Sequence, residues 1–129
     1  MSKIKSLFGL DGRVIIITGG AGFLGRKHAE AIAAFGGKPV ILDINEESVQ
    51  DAVQELNLKF PKSTIGYTVD ITKENQILKN SEELISRYGK IYGLINNASN
   101  NPKIEENSKV EFSRLENFPF DLWQHDIGV

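Results

Sequence analysis

The sequence predicts an α/β fold in which a parallel β-sheet carries helices on both faces. Short apolar, β-branched runs such as Val14–Thr18 are typical of strands that a parallel sheet buries on both sides. Stretches with helical periodicity alternate with these runs, and glycines or prolines separate the two kinds of segment. This alternation indicates βαβ units with right-handed crossovers.

Two strand–helix units make up the first half of the chain. A helix is predicted from Phe23 to Phe35, and Pro39–Asp43 forms the second predicted strand. Asn45 can cap a second helix that runs from Glu46 to about Phe60. The first helix is predicted to bury a face of mainly small residues: Gly25, Ala29, Ile32 and Ala33.

The second half repeats this pattern with weaker signals. A third strand is predicted at 64–69, although Gly66 interrupts it, and Leu94–Asn97 is the fourth. Thr72 is predicted to cap a third helix that Gly89 ends. The apolar residues predicted on one side of that helix are Ile77, Leu78, Leu84, Ile85 and Tyr88.

The remainder of the chain is a polar, aperiodic run at 99–117, predicted to be a long loop, and a helix that begins near Pro119. With strands in the order 3, 2, 1, 4, residues 1–129 would form a single domain with half or slightly more of a doubly wound sheet.

Composition narrows the classes of function. The 129 residues include 15 Lys and Arg and 17 Asp and Glu, with no basic cluster along the sequence, so nucleic acid is not a predicted partner. Without cysteine, disulfides and thiolate chemistry are excluded, and His28 and His125 lack metal-ligand spacing, so no metal site is predicted. No signal peptide or membrane-spanning run is evident, which predicts a cytoplasmic protein without a membrane partner.

The segment between the first strand and the first helix is rich in glycine. Residues Thr18–Gly25 have the sequence Thr-Gly-Gly-Ala-Gly-Phe-Leu-Gly. Glycines at this position let the backbone approach a pyrophosphate, which the N–H groups at the helix start can bind. The segment therefore predicts a dinucleotide site, and the alternative is a tight βα turn without a ligand.

An acidic residue follows at the distance expected of such a site. Asp43 ends the second predicted strand, ~20 residues after the glycines, where a carboxylate can bind the adenosine ribose. Ile44 follows it in place of a cation that would attract a 2′-phosphate, so NAD is predicted rather than NADP. The alternative for Asp43 is a carboxylate that caps the strand end or is simply solvated.

Three motifs together resemble the N-terminal signatures of the short-chain dehydrogenase/reductase family. These are Thr18–Gly25, Asp70–Ile71 after the third strand and Asn96–Ala98 after the fourth, in the family's order and with suitable spacing. The resemblance covers the chain from about Leu10 onward and implies a Rossmann-like fold. The predicted cofactor-binding residues are Thr18, Gly19, Gly22, Phe23, Leu24, Gly25, Asp43, Ile44, Asp70, Ile71, Asn97, Ala98 and Ser99.

Roles for the later residues come from the resemblance alone. It implies that Asp70 contacts the adenine ring, that Ile71 flanks it, and that Asn96 and Ala98 hold the turn after the fourth strand beside the cofactor. Ser99 stands where the family usually has glycine.

The branch of the family is indicated by conflicting features. Phe23 stands where the compact branch usually has glycine, a pattern shared with the extended branch of sugar-nucleotide epimerases and dehydratases. The Asn-Asn-Ala turn and the segment Phe120–Trp123 resemble the compact branch, which we favour.

The resemblance implies hydride transfer between a nicotinamide and an alcohol or carbonyl compound, with a sugar-derived substrate as a weaker indication. The family's catalytic Tyr-x-x-x-Lys pattern does not occur in these 129 residues, so no catalytic residue is predicted here. We expect the fold to be truncated after the fourth strand, as the N-terminal part of a longer, homo-oligomeric enzyme. The alternatives are an epimerase or dehydratase of the extended branch, a non-catalytic NAD-binding module, and a fragment that binds nothing well.

Overall fold

A computed structural model of the chain describes residues 7–100 and 118–129. The chain divides into two compact units, one ending at Ala98 and the other beginning at Ser99. Most of the loop predicted at 99–117 lies outside the described residues. None of the helices in the described ranges is long and apolar enough to cross a membrane.

The first unit contains a four-stranded sheet with all its neighbouring strands parallel, in the order β3-β2-β1-β4. This is the predicted order. The strands are β1 (Val14–Thr18), β2 (Lys38–Asp43), β3 (Ile65–Thr68) and β4 (Gly93–Ile95). The helices between them are α1 (Phe23–Ala34), α2 (Glu46–Lys59) and α3 (Glu74–Tyr88), and the second unit contains α4 (Phe120–Ile127).

Helices cover both faces of this sheet, as predicted. Ile17 and Ile41 are paired in register and pack on one face with apolar residues of α1 and α2. Ile16 and Val40 are also paired, and they pack on the other face around Leu84 of α3. Because successive strand residues point to opposite faces, each apolar strand supplies both cores.

The buried residues of α1 are the four predicted ones, Gly25, Ala29, Ile32 and Ala33. The predicted cap of α2 is also confirmed, because the Asn45 side chain accepts a hydrogen bond of 2.8 Å from the Ser48 N–H. Both features depend on local sequence, which explains why periodicity and capping rules identified them.

Gly66 has a packing role in β3. A Cβ atom at this position would lie 2.5 Å from Val49 Cγ1 and 2.8 Å from Val53 Cγ2, both on α2. These distances are shorter than carbon atoms tolerate, so the glycine allows α2 to pack closely on the strand. Gly66 weakens the strand pattern in the sequence, but the contact between α2 and the sheet requires it.

The prediction that Thr72 caps the third helix is wrong. The N-cap of α3 is Lys73, which makes no side-chain capping bond. The Thr72 hydroxyl instead donates to Asp70 Oδ1 over 2.6 Å. A hydroxyl two residues after a carboxylate can close a local turn with it, and this contact competes with capping.

The predicted apolar side of α3 is buried only in part. Leu84 is fully buried, whereas Leu78 and Ile85 are 54% and 52% exposed. At about 100° per residue, Ile85 and Leu78 lie roughly 100° and 120° around the helix from Leu84, away from the side that meets the sheet. The fourth strand is also shorter than predicted, since β4 ends at Ile95 and Asn96 and Asn97 follow it.

Candidate dinucleotide site

The turn between β1 and α1 lies at the carboxyl edge of the parallel sheet, and two of its glycines are required by close backbone contacts. Gly19 has a φ of +60°, and a Cβ there would lie 2.9 Å from Ala98 Cα. A Cβ on Gly25 would lie 2.5 Å from the Gly19 carbonyl oxygen. Since the obstructing atoms belong to the backbone, larger residues would displace the turn itself.

The start of α1 has no capping group of its own among the described residues. Its N-cap, Gly22, makes no side-chain hydrogen bond, and its first turn contains no acidic residue. Phe23 and Leu24, the first two residues of α1, are 84% and 56% exposed. The first N–H groups of a helix lack intrahelical acceptors and carry partial positive charge, so this turn can bind an anion.

Thr18 and Asn97 fasten the turn to the end of β4. The buried Thr18 Oγ1 accepts hydrogen bonds from the N–H groups of Asn97 and Ala98, over 3.0 and 3.1 Å. The Asn97 side-chain amide donates to the carbonyls of Thr18 and Gly19, over 3.0 and 3.1 Å. These predicted site residues therefore lie at the turn, and their polar groups hold its backbone in place.

Asp43 lies beside the same turn, at the end of β2. Its Oδ2 atom accepts a hydrogen bond of 3.2 Å from the Ala21 N–H, and Oδ1 accepts one of 2.8 Å from the Ile44 N–H. The carboxylate therefore caps the strand end and also contacts the glycine turn. The Asn45 N–H also donates to Oδ1, over 3.4 Å. A carboxylate has about four acceptor sites, so beyond these three bonds it retains capacity for one ligand hydroxyl. Ile44 is 72% exposed next to it.

Asp70 and Ile71 follow β3 at the same edge of the sheet. Asp70 Oδ1 accepts from the Thr72 hydroxyl and from the Thr72 N–H, and these bonds hold the pKa of the Asp70 carboxyl below its usual range. Ile71 packs partly against the core on the α3 face. Because β3 is two strands from β1, these residues are roughly 10 Å along the edge from the turn.

Ser99 belongs to the second unit and is exposed. Within that unit, the side-chain amide of Asn100 donates to the carbonyl of His125 over 2.9 Å. The predicted cofactor role of Ser99 therefore still depends on the sequence alone.

Arg26, which the sequence did not single out, also contacts the glycine turn. Its Nε–H donates to the carbonyl oxygen of Ala21 over 2.8 Å, within the glycine turn. Its Nη1 group is 2.9 Å from Glu55 Oε2, and Nη2 donates to the Ser48 carbonyl over 3.4 Å, both on α2. Arginine directly after the last glycine was visible in the sequence, but its partners on another helix were not.

This arrangement defines a Rossmann-like α/β protein with a glycine turn at the carboxyl edge of its sheet. A family model described as short chain dehydrogenase matches residues 13–120. The chain belongs to this family.

Relatives and solved structures agree with this assignment. The chain is 38% identical over 120 residues to a short chain dehydrogenase/reductase of Gibberella zeae, covering 93% of this chain and 41% of that protein. It is similar to a short chain dehydrogenase/reductase from Burkholderia phymatum in complex with NAD, with 32% identity, a TM-score of 0.66, and coverage of 71% and 32%.

A third similar protein is the 3-ketoacyl-(acyl-carrier-protein) reductase of Brucella melitensis complexed with NADH. The identity is 28% and the TM-score 0.71, and the match covers 94% of this chain and 45% of that one. The chain thus spans less than half the length of each of these three proteins.

Proposed function

We propose that residues 1–129 act as a single dinucleotide-binding domain, which binds NAD at the turn Thr18–Gly25. In the whole protein this domain would serve an oxidoreductase that transfers hydride between the nicotinamide and an alcohol or carbonyl substrate. The observation that carries the proposal is the uncapped start of α1, enclosed by a turn whose close contacts require glycine at positions 19 and 25.

The pyrophosphate fits this turn for electrostatic reasons. Phosphate oxygens need donors and positive potential. Both are available at a helix start that has no acidic residue in its first turn and no capping side chain among the described residues. The exposed Phe23 and Leu24 offer apolar surface to the flat parts of a dinucleotide.

The preference for NAD follows from Asp43. Its carboxylate contacts the turn through the Ala21 N–H and can accept a hydrogen bond from a ribose hydroxyl. The same negative charge would repel a 2′-phosphate. The guanidinium of Arg26, the residue after this turn, is bonded to Glu55 and to two carbonyls, and these acceptors compete with a 2′-phosphate for it. Two of the similar structures contain NAD or NADH, which supports this choice.

The proposal also concerns which step of the reaction this chain supports. The 129 residues contain no Tyr-x-x-x-Lys pattern. We therefore propose that these 129 residues bind and orient the dinucleotide and do not themselves transfer the substrate proton.

Calorimetric titration of NAD and NADP into the chain tests the proposal, together with Asp43→Ala. We expect saturable NAD binding to the wild type, and a dissociation constant for NAD about tenfold higher in the variant, because a charge-assisted hydrogen bond is lost. Binding of NADP should not weaken, so the ratio of the two affinities should fall.

Asp51→Asn is the matched control, since it removes one negative charge from an exposed position on α2. It should leave both affinities within about twofold of the wild type, because exposed charges at a distance are screened. No saturable NAD binding to the wild type would refute the proposed function. An unchanged NAD/NADP ratio in Asp43→Ala would refute only the ribose assignment.

A further inference from the structure

We propose that Arg26 is a positioning residue that holds the glycine turn in its anion-binding conformation, an inference that rests on the proposed function. Ala21, at the centre of the turn, is held on both sides: Asp43 accepts from its N–H, and Arg26 donates to its carbonyl oxygen.

The hydrogen bond from Arg26 determines the orientation of one peptide group. The Ala21 carbonyl shares its peptide plane with the Gly22 N–H, which donates to the Gly19 carbonyl over 3.2 Å. Arg26 also donates its own backbone N–H to the carbonyl of Gly22 over 3.0 Å. Arg26 therefore binds two successive carbonyls of the turn, one through its side chain and one through its backbone.

The Ala21–Gly22 peptide group needs an external restraint because one of the two residues that it joins is glycine. Glycine at position 22 allows the backbone to reach conformations that a residue with Cβ would resist. A rotated Ala21–Gly22 peptide would direct a carbonyl oxygen into the turn, where its partial negative charge would repel a phosphate. Bonding of the Ala21 oxygen to a guanidinium opposes this rotation.

The guanidinium is itself bound to α2, and these contacts fix its position relative to the turn. Glu55 and the Ser48 carbonyl bind its two terminal nitrogens. Arg26 and Lys59 together hold the pKa of the Glu55 carboxyl below its usual range, so Glu55 remains ionised at neutral pH. The planar guanidinium can donate at the same time to the Ala21 carbonyl, the Glu55 carboxylate and the Ser48 carbonyl.

The test compares Arg26→Met with Glu55→Gln in the 129-residue chain. Arg26→Met keeps the length of the side chain but places an apolar methyl group where the Nε–H donates to Ala21, whereas Glu55→Gln removes one charge from the ion pair and leaves that donor in place. We expect Arg26→Met to raise the dissociation constant for NAD about tenfold, the effect of one charge-assisted hydrogen bond. Glu55→Gln should change it by less than about twofold, because the glutamine side-chain oxygen and the Ser48 carbonyl still accept from the guanidinium and the charge lost belongs to an exposed ion pair.

Amide hydrogen exchange gives a readout that a merely stabilising role would not produce. In Arg26→Met the Gly22 amide should exchange faster, while the amides of Ile17 and Ile41 in the sheet keep their wild-type rates. Uniformly faster exchange of all three amides would indicate a loss of global stability and would overturn the inference.

Two further outcomes would overturn it while NAD binding stands. One is an NAD affinity of Arg26→Met within twofold of the wild type. The other is an equal loss of affinity in Glu55→Gln, which would assign the effect to the ion pair. If the wild-type chain does not bind NAD, the proposed function fails and this inference fails with it. Failure of this inference alone is recognised by normal NAD binding to the wild type together with one of the two outcomes above.

Discussion

The starts of α1 and α2 have the same place in the fold but opposite chemistry. Each follows one of two adjacent parallel strands, β1 and β2, at the carboxyl edge of the sheet. At the start of α2, Asn45 caps the helix through the Ser48 N–H, and Glu46 and Glu47 add negative charge to the first turn. At the start of α1, Gly22 provides no cap and the first turn has no acid.

The difference shows how one helix start can be reserved for a ligand. Both helices present unpaired N–H groups and a positive dipole end. At α2 the Asn45 side chain satisfies one of these groups, which stabilises the fold. Among the described residues no side chain caps those of α1, which the proposed function leaves to the phosphates of NAD. Thr18, Asn97 and Arg26 hold the backbone around them.

The largest expected effect comes from Gly19→Ala. The substitution places Cβ 2.9 Å from Ala98 Cα at a φ of +60°, so the turn must move. We expect calorimetric titration to detect no NAD binding, a rise in the dissociation constant of at least about 100-fold, because displacement of the donors removes several hydrogen bonds to the phosphates.

Gly12→Ala is the control for backbone strain alone. Gly12 has a φ of +69°, but apart from Gly12 itself and its two chain neighbours no heavy atom among the described residues lies within 4 Å of its Cβ position. It should lower the free energy of unfolding by about 1–2 kcal/mol and leave NAD affinity unchanged. Equal NAD binding by the Gly19→Ala and Gly12→Ala variants would show that the turn is not the site.

A smaller effect is expected when α1 receives a start like that of α2, through Gly22→Asp. The backbone at Gly22, with φ −73° and ψ 174°, suits an N-cap. The new carboxylate should occupy the helix donors and repel phosphate, raising the dissociation constant for NAD about tenfold, while the cap adds up to about 1 kcal/mol of stability.

Thermal unfolding and NAD titration together check this opposition of stability and binding. Gly22→Asn is the control, because it supplies a neutral cap of similar size. Its loss of NAD affinity should be smaller than that of Gly22→Asp. Undiminished NAD binding by Gly22→Asp would argue against an anion at this helix start.

The smallest effect on binding is expected at the other helix, from Asn45→Ala. Loss of the bond to the Ser48 N–H should lower the free energy of unfolding by about 1 kcal/mol in urea titrations. The dissociation constant for NAD should stay within about twofold of the wild type. A loss of NAD affinity as large as that of Gly22→Asp would mean that the start of α2 belongs to the site.

Much of the fold was predictable because its signals are local. The apolar run of β1 and the small buried face of α1 depend on residues close together in the chain. The order of the strands followed from the alternation of elements and from the handedness of their crossovers. The position of Asp43 beside the glycine turn was predictable because the distance between the glycines and the acid is a property of one βαβ unit.

The sequence by itself determined the parallel sheet with helices on both faces, the glycine turn and the acid beside it, because periodicity, capping and motif spacing are set by near neighbours. Only the tertiary structure decided that Gly66 admits α2, that Asn97 fastens the turn to β4, and that Arg26 joins the turn to α2. These contacts join residues that are far apart in the chain. Their existence depends on distances that arise when the helices dock on the sheet, and no local pattern encodes those distances.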